Sequence, residues 1–447
     1  MWLYYKYKWL WKTRRRSLDK LRKARLTVFP QGARNRGGRI VVLDPGLISA
    51  GGHHLPVATA LWREARRLGY EAIVVGHAKL PKGAGAIGAI PYFFHAGYMI
   101  PTGENRQDID RCAAAGRAQM AEANAQLLID LSALPRDWFG EGDFVLFPAV
   151  TPNQILAIGQ WISGFAASAS PCWGLSLLLP PDIDGSELLR NAGSAYVRAT
   201  FELIPAQIKK RIVVATETAA LAQSYAGLVG FEPVVLKLPL HADLDEAPCA
   251  PAATATSGRL APLVASLGFA NDEKGYHLLP DILPLVYAAR PDARFLVHVS
   301  GMSRKWVDSF RSRLAVLGDT VTVVGGPVSQ ERMTEMLKST SLMLLPYDPV
   351  SYRERGSGLF QEALRFAIPV VLPANTAIAA EARSIGSTVV FERQDASCIA
   401  EATIAALDRL DSLSAAAHRH SAESGIGRRG YLETLLSAFP DFNRKTV

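Results

Sequence analysis

The sequence predicts an α/β protein of two doubly wound, Rossmann-like domains facing one another across a cleft. Three observations predict it. The chain has 447 residues, too many for one compact core and suited to two domains of roughly 200 residues each. Short β-rich apolar runs alternate with longer segments of helical period along most of its length, as in βαβ units whose parallel sheet is covered on both faces. The alternation breaks at HADLDEAPCAPAATATSGR (241–259), which is rich in Ala, Pro and Thr, has no apolar period and reads as a linker.

Taken in order, residues 1–38 form a basic aromatic extension. Residues 1–39 hold thirteen Lys or Arg against one acid, Asp19, and so carry +12; with a total of +8, the remaining body is at −4. A mildly acidic body excludes the broad basic surface of a nucleic-acid-binding enzyme. Within the extension, Trp2, Tyr4, Tyr5, Tyr7, Trp9 and Trp11 alternate with Lys6, Lys8 and Lys12, and Arg14, Arg15 and Arg16 follow. Aromatic rings favour the headgroup layer of a bilayer, and each nearby Lys or Arg adds about 1 kcal/mol of attraction to anionic lipid. Residues 1–29 are therefore expected to bind an anionic membrane surface peripherally.

The first domain is expected over 39–240. RIVVLD (39–44) and EAIVV (71–75) read as strands flanking a helix at HLPVATALWREARRLGY (54–70). Residues 80–142 give a Gly- and Pro-rich part and then an Ala-rich helix near 111–127, and FVLFP (144–148), GLSLLLP (174–180) and RIVVAT (211–216) read as further strands. The second domain is expected over 260–425. Its strands are LVASLG (263–268), RFLVHVS (294–300), TVTVVG (320–325), LMLLP (342–346), PVVLP (369–373) and TVVF (388–391). Pro280 and Pro284 predict a short or kinked first helix there. Residues 426–447 hold a last amphipathic helix, YLETLLSAF (431–439).

No apolar run reaches the roughly 18 residues of a membrane span. Cys112, Cys172, Cys249 and Cys398 are scattered, with no C-x-x-C pair and no disulfide framework. Without a signal-peptide pattern, the expected location is the cytoplasm, at the inner leaflet if the extension anchors the chain.

The chemistry concentrates in PYDPVSYRERGSGLFQEALRFAIPVVLP (346–373). A buried strand runs into a Gly-flanked turn (Gly356, Ser357, Gly358) that opens a helix, and another strand follows. A helix N-terminus placed there offers backbone N–H groups and a positive dipole end to phosphate. Glu354 and Glu362 are spaced E-x7-E, so two carboxylates can serve different parts of one ligand. A carboxylate can accept ribose hydroxyls, or orient a sugar and stabilise positive charge at its anomeric carbon.

This stretch resembles the donor-site motif of glycosyltransferase family 4, whose fold is GT-B. In that family E-x7-E surrounds a Gly-rich helix start and precedes a G-x-P-V-V strand. LVASLGFANDEKGYHLLPDIL (263–283) resembles the family's G-R-…-K-G segment through Lys274 and Gly275. FLVHVSG (295–301) and VTVVGGPVSQERMTEML (321–337) resemble its following strand units, and DPGLISAGGHHLPVATALWREARRLGYEAIVV (44–75) its opening βαβ, with Gly51 and Gly52 at the glycine pair. The resemblance spans nearly all of 39–440 and is stronger in the second half.

The resemblance implies retaining, metal-independent transfer from a UDP- or GDP-linked sugar to a glycan or lipid-linked acceptor, with the nucleotide sugar as co-substrate and no other cofactor. Glu354 would face the transferred sugar and Glu362 would hold the ribose. Lys274 would neutralise the diphosphate, assisted by the backbone N–H groups of Ser357, Gly358 and Leu359, and Gly52 would let the first domain approach the sugar-phosphate. Two positions depart from the pattern: Phe269 stands where the family has an Arg beside the Lys, and Ala367 and Ile368 precede Pro369 without the family glycine. The family histidine near the sugar has no recognisable motif here, leaving His53, His54 and His95 as candidates, while Arg353 and Arg355 are candidates to replace the missing Arg. FPAVTPNQILAIGQWISGF (147–165) is a candidate acceptor segment. Three D-x-D tripeptides, at Asp108–Asp110, Asp182–Asp184 and Asp243–Asp245, read as solvated acidic loops rather than metal sites. A catalytically degenerate scaffold and a nucleotide-sugar 2-epimerase are the rival readings of the same architecture.

Overall fold

In the computed structural model, the described residues are 38–48, 52–96, 109–182, 187–240, 261–423, 430–440 and 442. The basic aromatic extension, the 241–259 linker and Gly51 lie outside them.

The first sheet has seven strands: β1 (Arg39–Asp44), β2 (Glu71–His77), β3 (Ile90–Phe93), β4 (Phe144–Val150), β5 (Cys172–Leu177), β6 (Ile212–Thr216) and β7 (Val234–Val235). They run in the order β3-β2-β1-β4-β5-β6-β7. All pairings are parallel, with Ile40 beside both Ala72 and Phe144. The second sheet has six: β8 (Leu263–Ser266), β9 (Arg294–Val299), β10 (Val321–Gly325), β11 (Leu342–Leu344), β12 (Val370–Pro373) and β13 (Thr388–Phe391), ordered β10-β9-β8-β11-β12-β13. Both orders reverse once, between β1 and β4 and between β8 and β11. Ligands of such sheets bind beyond the strands' carboxyl ends at that reversal.

The strands were readable because most are buried on both faces, which removes polar alternation. Every residue of β1, β4, β5 and β6 is buried. The two strands not foreseen are β3, four residues interrupted by Pro91, and the two-residue β7. Both are edge strands too short to show a pattern.

Helices cover both faces. In the first half these are α1 (His54–Arg67), α2 (Ile109–Ser132), α3 (Pro152–Ser163), α4 (Glu187–Leu203) and α5 (Ala219–Val229). In the second they are α6 (Leu279–Ala289), α7 (Arg304–Leu314), α8 (Gln330–Ser339), α9 (Gly358–Arg365), α10 (Ala377–Ala382), α11 (Ala396–Asp408) and α12 (Leu410–Glu423). Side-chain caps set many of the starts: Thr218, Ser303, Ser329, Ser357, Thr376 and Asp395 each accept an amide of the first turn. The helix expected to be short or kinked is α6, which with 11 residues is as long as α5 and α7. Pro280 sits in its first turn, where a missing N–H costs nothing, and the helix continues through Pro284 to Ala289.

The last helix, α13 (Tyr431–Leu436), returns to the first sheet. Tyr431, Leu432, Leu435, Leu436, Phe439 and Phe442 share a core with Ile40, Leu61 and Phe144. The Tyr431 and Ser176 hydroxyls lie 2.6 Å apart, and the Glu64 carboxylate accepts the Glu433 amide at 3.1 Å. The C-terminal segment is thus a structural part of the first half. Among the described residues, no helix is long and apolar enough to cross a membrane.

Candidate functional site

The predicted donor residues follow β8 and β11, the two strands at the reversal of the second sheet. After β8, the Asn271 side chain accepts the Lys274 amide at 3.0 Å and starts a short 3-10 turn. Gly275 then takes φ +66, and a Cβ there would lie 2.0 Å from the carbonyl oxygen of Pro346. Glycine is required at this point twice over, for the left-handed backbone and for the close approach of the loop after β11. A further bond, from the Asp348 amide to the Glu273 carbonyl at 2.8 Å, ties the same two loops together.

Lys274 reaches back over Gly268. A Cβ on Gly268 would sit 3.9 Å from Lys274 Nζ and 3.0 Å from Leu359 Cδ1, so the lysine and the first turn of α9 share one glycine face. Burial, then the nearby Arg355 guanidinium, pull the Lys274 ammonium down to about 8, with Glu273 opposing. Arg355 donates to Glu273 Oε2 at 2.9 Å and stacks 4.9 Å over the Tyr352 ring. Tyr352 in turn stacks on Tyr347 at 4.1 Å.

After β11 the loop 345–357 delivers Ser357, whose Oγ accepts the Phe360 amide and lies 3.2 Å from the Tyr347 hydroxyl. Gly358 and Leu359 are the first helical residues of α9, and helix geometry leaves their amides without an intrahelical acceptor. Glu362 is half-buried one turn further on. The residue after the helix, Phe366, is followed by Ala367 at φ +53, and the amides of Ala367 and Ile368 bond the carbonyls of Leu364 and Ala363. This is a Schellman ending, which favours glycine at the position Ala367 occupies. Ala367 fills this left-handed position at some strain.

Glu354 stands away from Lys274 in its bonding. Its Oε2 accepts from Ser224 Oγ of α5 at 2.8 Å and its carbonyl accepts from Thr218 Oγ1. Gln361 donates to Glu217 Oε1 at 3.1 Å, and Lys237 donates to Glu381. The glutamate expected beside the sugar is thus held against the first sheet's β6–α5 corner. Nothing local in 216–224 signals that role, which depends on how the two halves face.

From the first half, Gly52 is exposed at φ +87 with open space where a Cβ would stand. Asp44, at the end of β1, accepts the Gly46 amide at 2.9 Å and holds His54 Nδ1 at 2.9 Å. His53 stacks on His54 at 4.4 Å. Its Nε2 is buried without a hydrogen-bond partner among the described residues. Burial, then His54, and also Lys274 from across the cleft, pull His53 down to about 4 against the pull of Asp44. His53 thus senses the donor-side lysine. His95 lies at the end of β3 with Nδ1 2.9 Å from Asp130, a separate pair.

Phe269 lies against Gly301 at the surface. It is 53% exposed, and its ring lies flat enough on Gly301 that a Cβ there would be 2.1 Å from Cε2. In the candidate acceptor segment, Phe147, Ile155, Ile158, Trp161 and Ile162 are core residues. Asp182 caps the backbone and hydroxyl of Ser194. Asp108, Asp184 and the 243–245 tripeptide lie outside the described residues.

No protein-family model and no curated protein matches this chain. Solved structures do. HepE of Anabaena, solved with UDP and glucose, is 11% identical with a TM-score of 0.57, over 90% of this chain and 98% of that one. A sucrose-phosphate synthase of Thermosynechococcus elongatus is 16% identical with a TM-score of 0.57, over 90% and 99%. WaaG, a glycosyltransferase involved in lipopolysaccharide biosynthesis, is 15% identical with a TM-score of 0.55, over 89% and 98%. The shared architecture is the GT-B fold. At such identities the likeness establishes fold, and the chemistry rests on the residues of the cleft.

Proposed function

We propose that this chain transfers a glycosyl group from a UDP- or GDP-linked sugar to a glycan or lipid-linked acceptor, with retention and without a metal ion. The observation that carries the reading is a convergence. Lys274 and Leu359 at the start of α9 share the Gly268 face at the reversal of the second sheet, Glu362 lies one turn further along α9, and His53 of the first half is within electrostatic reach of Lys274.

Each group has work to do there. The diphosphate leaving group develops charge as the glycosidic bond breaks, and Lys274 with the Gly358 and Leu359 amides offers preorganised positive potential. Glu362 accepts the ribose hydroxyls. Glu354 exchanges its bond from Ser224 for the sugar's hydroxyls, so sugar entry and the contact between the halves compete for one carboxylate. His53 stays neutral at physiological pH and can donate or accept at the sugar-phosphate side. The aromatic and basic residues 1–29 support an acceptor at a membrane surface, and loss of co-sedimentation with anionic liposomes on deleting 1–37 is the expected result.

The test is a thermal-shift screen against UDP, GDP, ADP and CMP, repeated with Glu362→Ala. A ligand at about 100 times its Kd adds roughly 2.7 kcal/mol to native stability. One diphosphate should stabilise the wild type and lose its effect on the variant. If none does, the non-catalytic scaffold reading replaces this one.

A further inference from the structure

Phe269 leaves the family's two-cation clamp one charge short, and its ring is committed to the surface over Gly301. A second cation is nevertheless present beside Lys274, delivered from another strand. Arg355 follows Glu354 in the loop after β11. Its side chain is 20% exposed, and it sits on the Tyr352 ring, itself stacked on Tyr347. A guanidinium carries five N–H donors. Among the described residues, Arg355 commits one of them, Nη1, to Glu273. A largely buried guanidinium with most donors uncommitted is an expensive arrangement unless an anion completes it. Arg355 is also tied to the residue before Lys274, since its one committed donor goes to Glu273.

We infer that Arg355 is the second cation of the diphosphate clamp, taking by way of the E-x7-E loop the part that Phe269 has given up. The inference rests on the proposed donor site and names a binding residue within it. Glu273 parks the guanidinium through one bond, and its position next to Lys274 in sequence keeps the parked arginine at the lysine. When a diphosphate enters, its oxygens take the remaining donors as a fork, a geometry that a guanidinium offers and an ammonium does not. The exposed Phe269 ring is then left outside the clamp.

The experiment is calorimetric titration of the full chain with UDP and GDP, with circular dichroism confirming that each variant is folded. Arg355→Gln should weaken whichever diphosphate binds by about 10- to 100-fold, the worth of a charge-assisted hydrogen bond. Phe269→Arg in that background should restore part of the loss. Glu273→Gln, titrated at pH 6 where Lys274 keeps its proton without its acidic neighbour, is the discriminating variant: as a competitor for Arg355 its removal should leave affinity unchanged or tighter. Equal weakening by Glu273→Gln and Arg355→Gln would show a purely structural ion pair and overturn the inference, as would wild-type affinity in Arg355→Gln. If Arg355→Gln does not fold, the direction of the Glu273→Gln change decides alone. If the wild type binds neither diphosphate, the donor-site reading itself falls, and the inference with it.

Discussion

Nucleotide affinity should fall as Lys274 loses its proton, within a pH range that an ordinary lysine would not touch. Lys274 titrates at about 8 because it is buried and faces Arg355. Its protonated fraction therefore drops from about 0.9 at pH 7 to about 0.1 at pH 9, and a ligand that binds only the ammonium form shows a Kd raised about tenfold across that range. Arginine stays charged throughout, so Lys274→Arg should flatten the profile, and the difference between the two curves cancels any titration of the nucleotide itself. The same shift has a stability consequence. The folded pKa lies below the unfolded value of 10.5, so the unfolded chain holds more protons between about 8 and 10.5. Stability rises as pH climbs through that window, and below it the full cost of the buried charge is present. At 1.36 kcal/mol per pKa unit this cost is about 3 kcal/mol. Lys274→Met should accordingly raise the melting temperature at pH 7 while abolishing diphosphate binding. Calorimetric titration at pH 7, 8 and 9, with melting curves at each, supplies both readouts. A wild-type profile as flat as that of Lys274→Arg would refute the placement of this ammonium at the phosphates.

Three further outcomes follow from the same geometry. His53 is held neutral to about 4 from an ordinary 6.5, so the stability it contributes is present above pH 6.5 and lost as pH falls towards 4; about 2–3 kcal/mol should disappear from wild-type denaturant titrations over that range, and His53→Gln should show a smaller loss. Ala367→Gly should stabilise the chain by about 0.5–1 kcal/mol, because relief of the left-handed backbone exceeds glycine's entropy cost; a lower urea midpoint in the variant would contradict the assignment. Gly275→Ala should destabilise by about 2–4 kcal/mol through strain and contact with the Pro346 carbonyl, and should weaken UDP or GDP by displacing Lys274. Unchanged melting and affinity would mean that the two loops are not held together as described.

What the sequence determined by itself is whatever is encoded within a single element. The strands β1, β4, β8 and β12 were legible because both of their faces are buried, which writes them as apolar runs. The α9 start was legible because Ser357 and its flanking glycines carry their own capping chemistry. Lys274 was singled out by the glycine after it, and the structure supplies the reason for that glycine in the Pro346 carbonyl.

The tertiary structure alone decided which distant groups meet. Arg355 joins Glu273 across 82 positions because β8 and β11 are neighbours at the sheet reversal. Ser224 takes the Glu354 carboxylate across 130 positions, and Tyr431 closes on Ser176 across 255, because the two halves face each other and the chain's end crosses back. No local pattern signals such meetings. The energy of a strand or a cap is set by its own residues and their burial, whereas the pairing of charges depends on strand order, and strand order is chosen by the packing of the whole sheet.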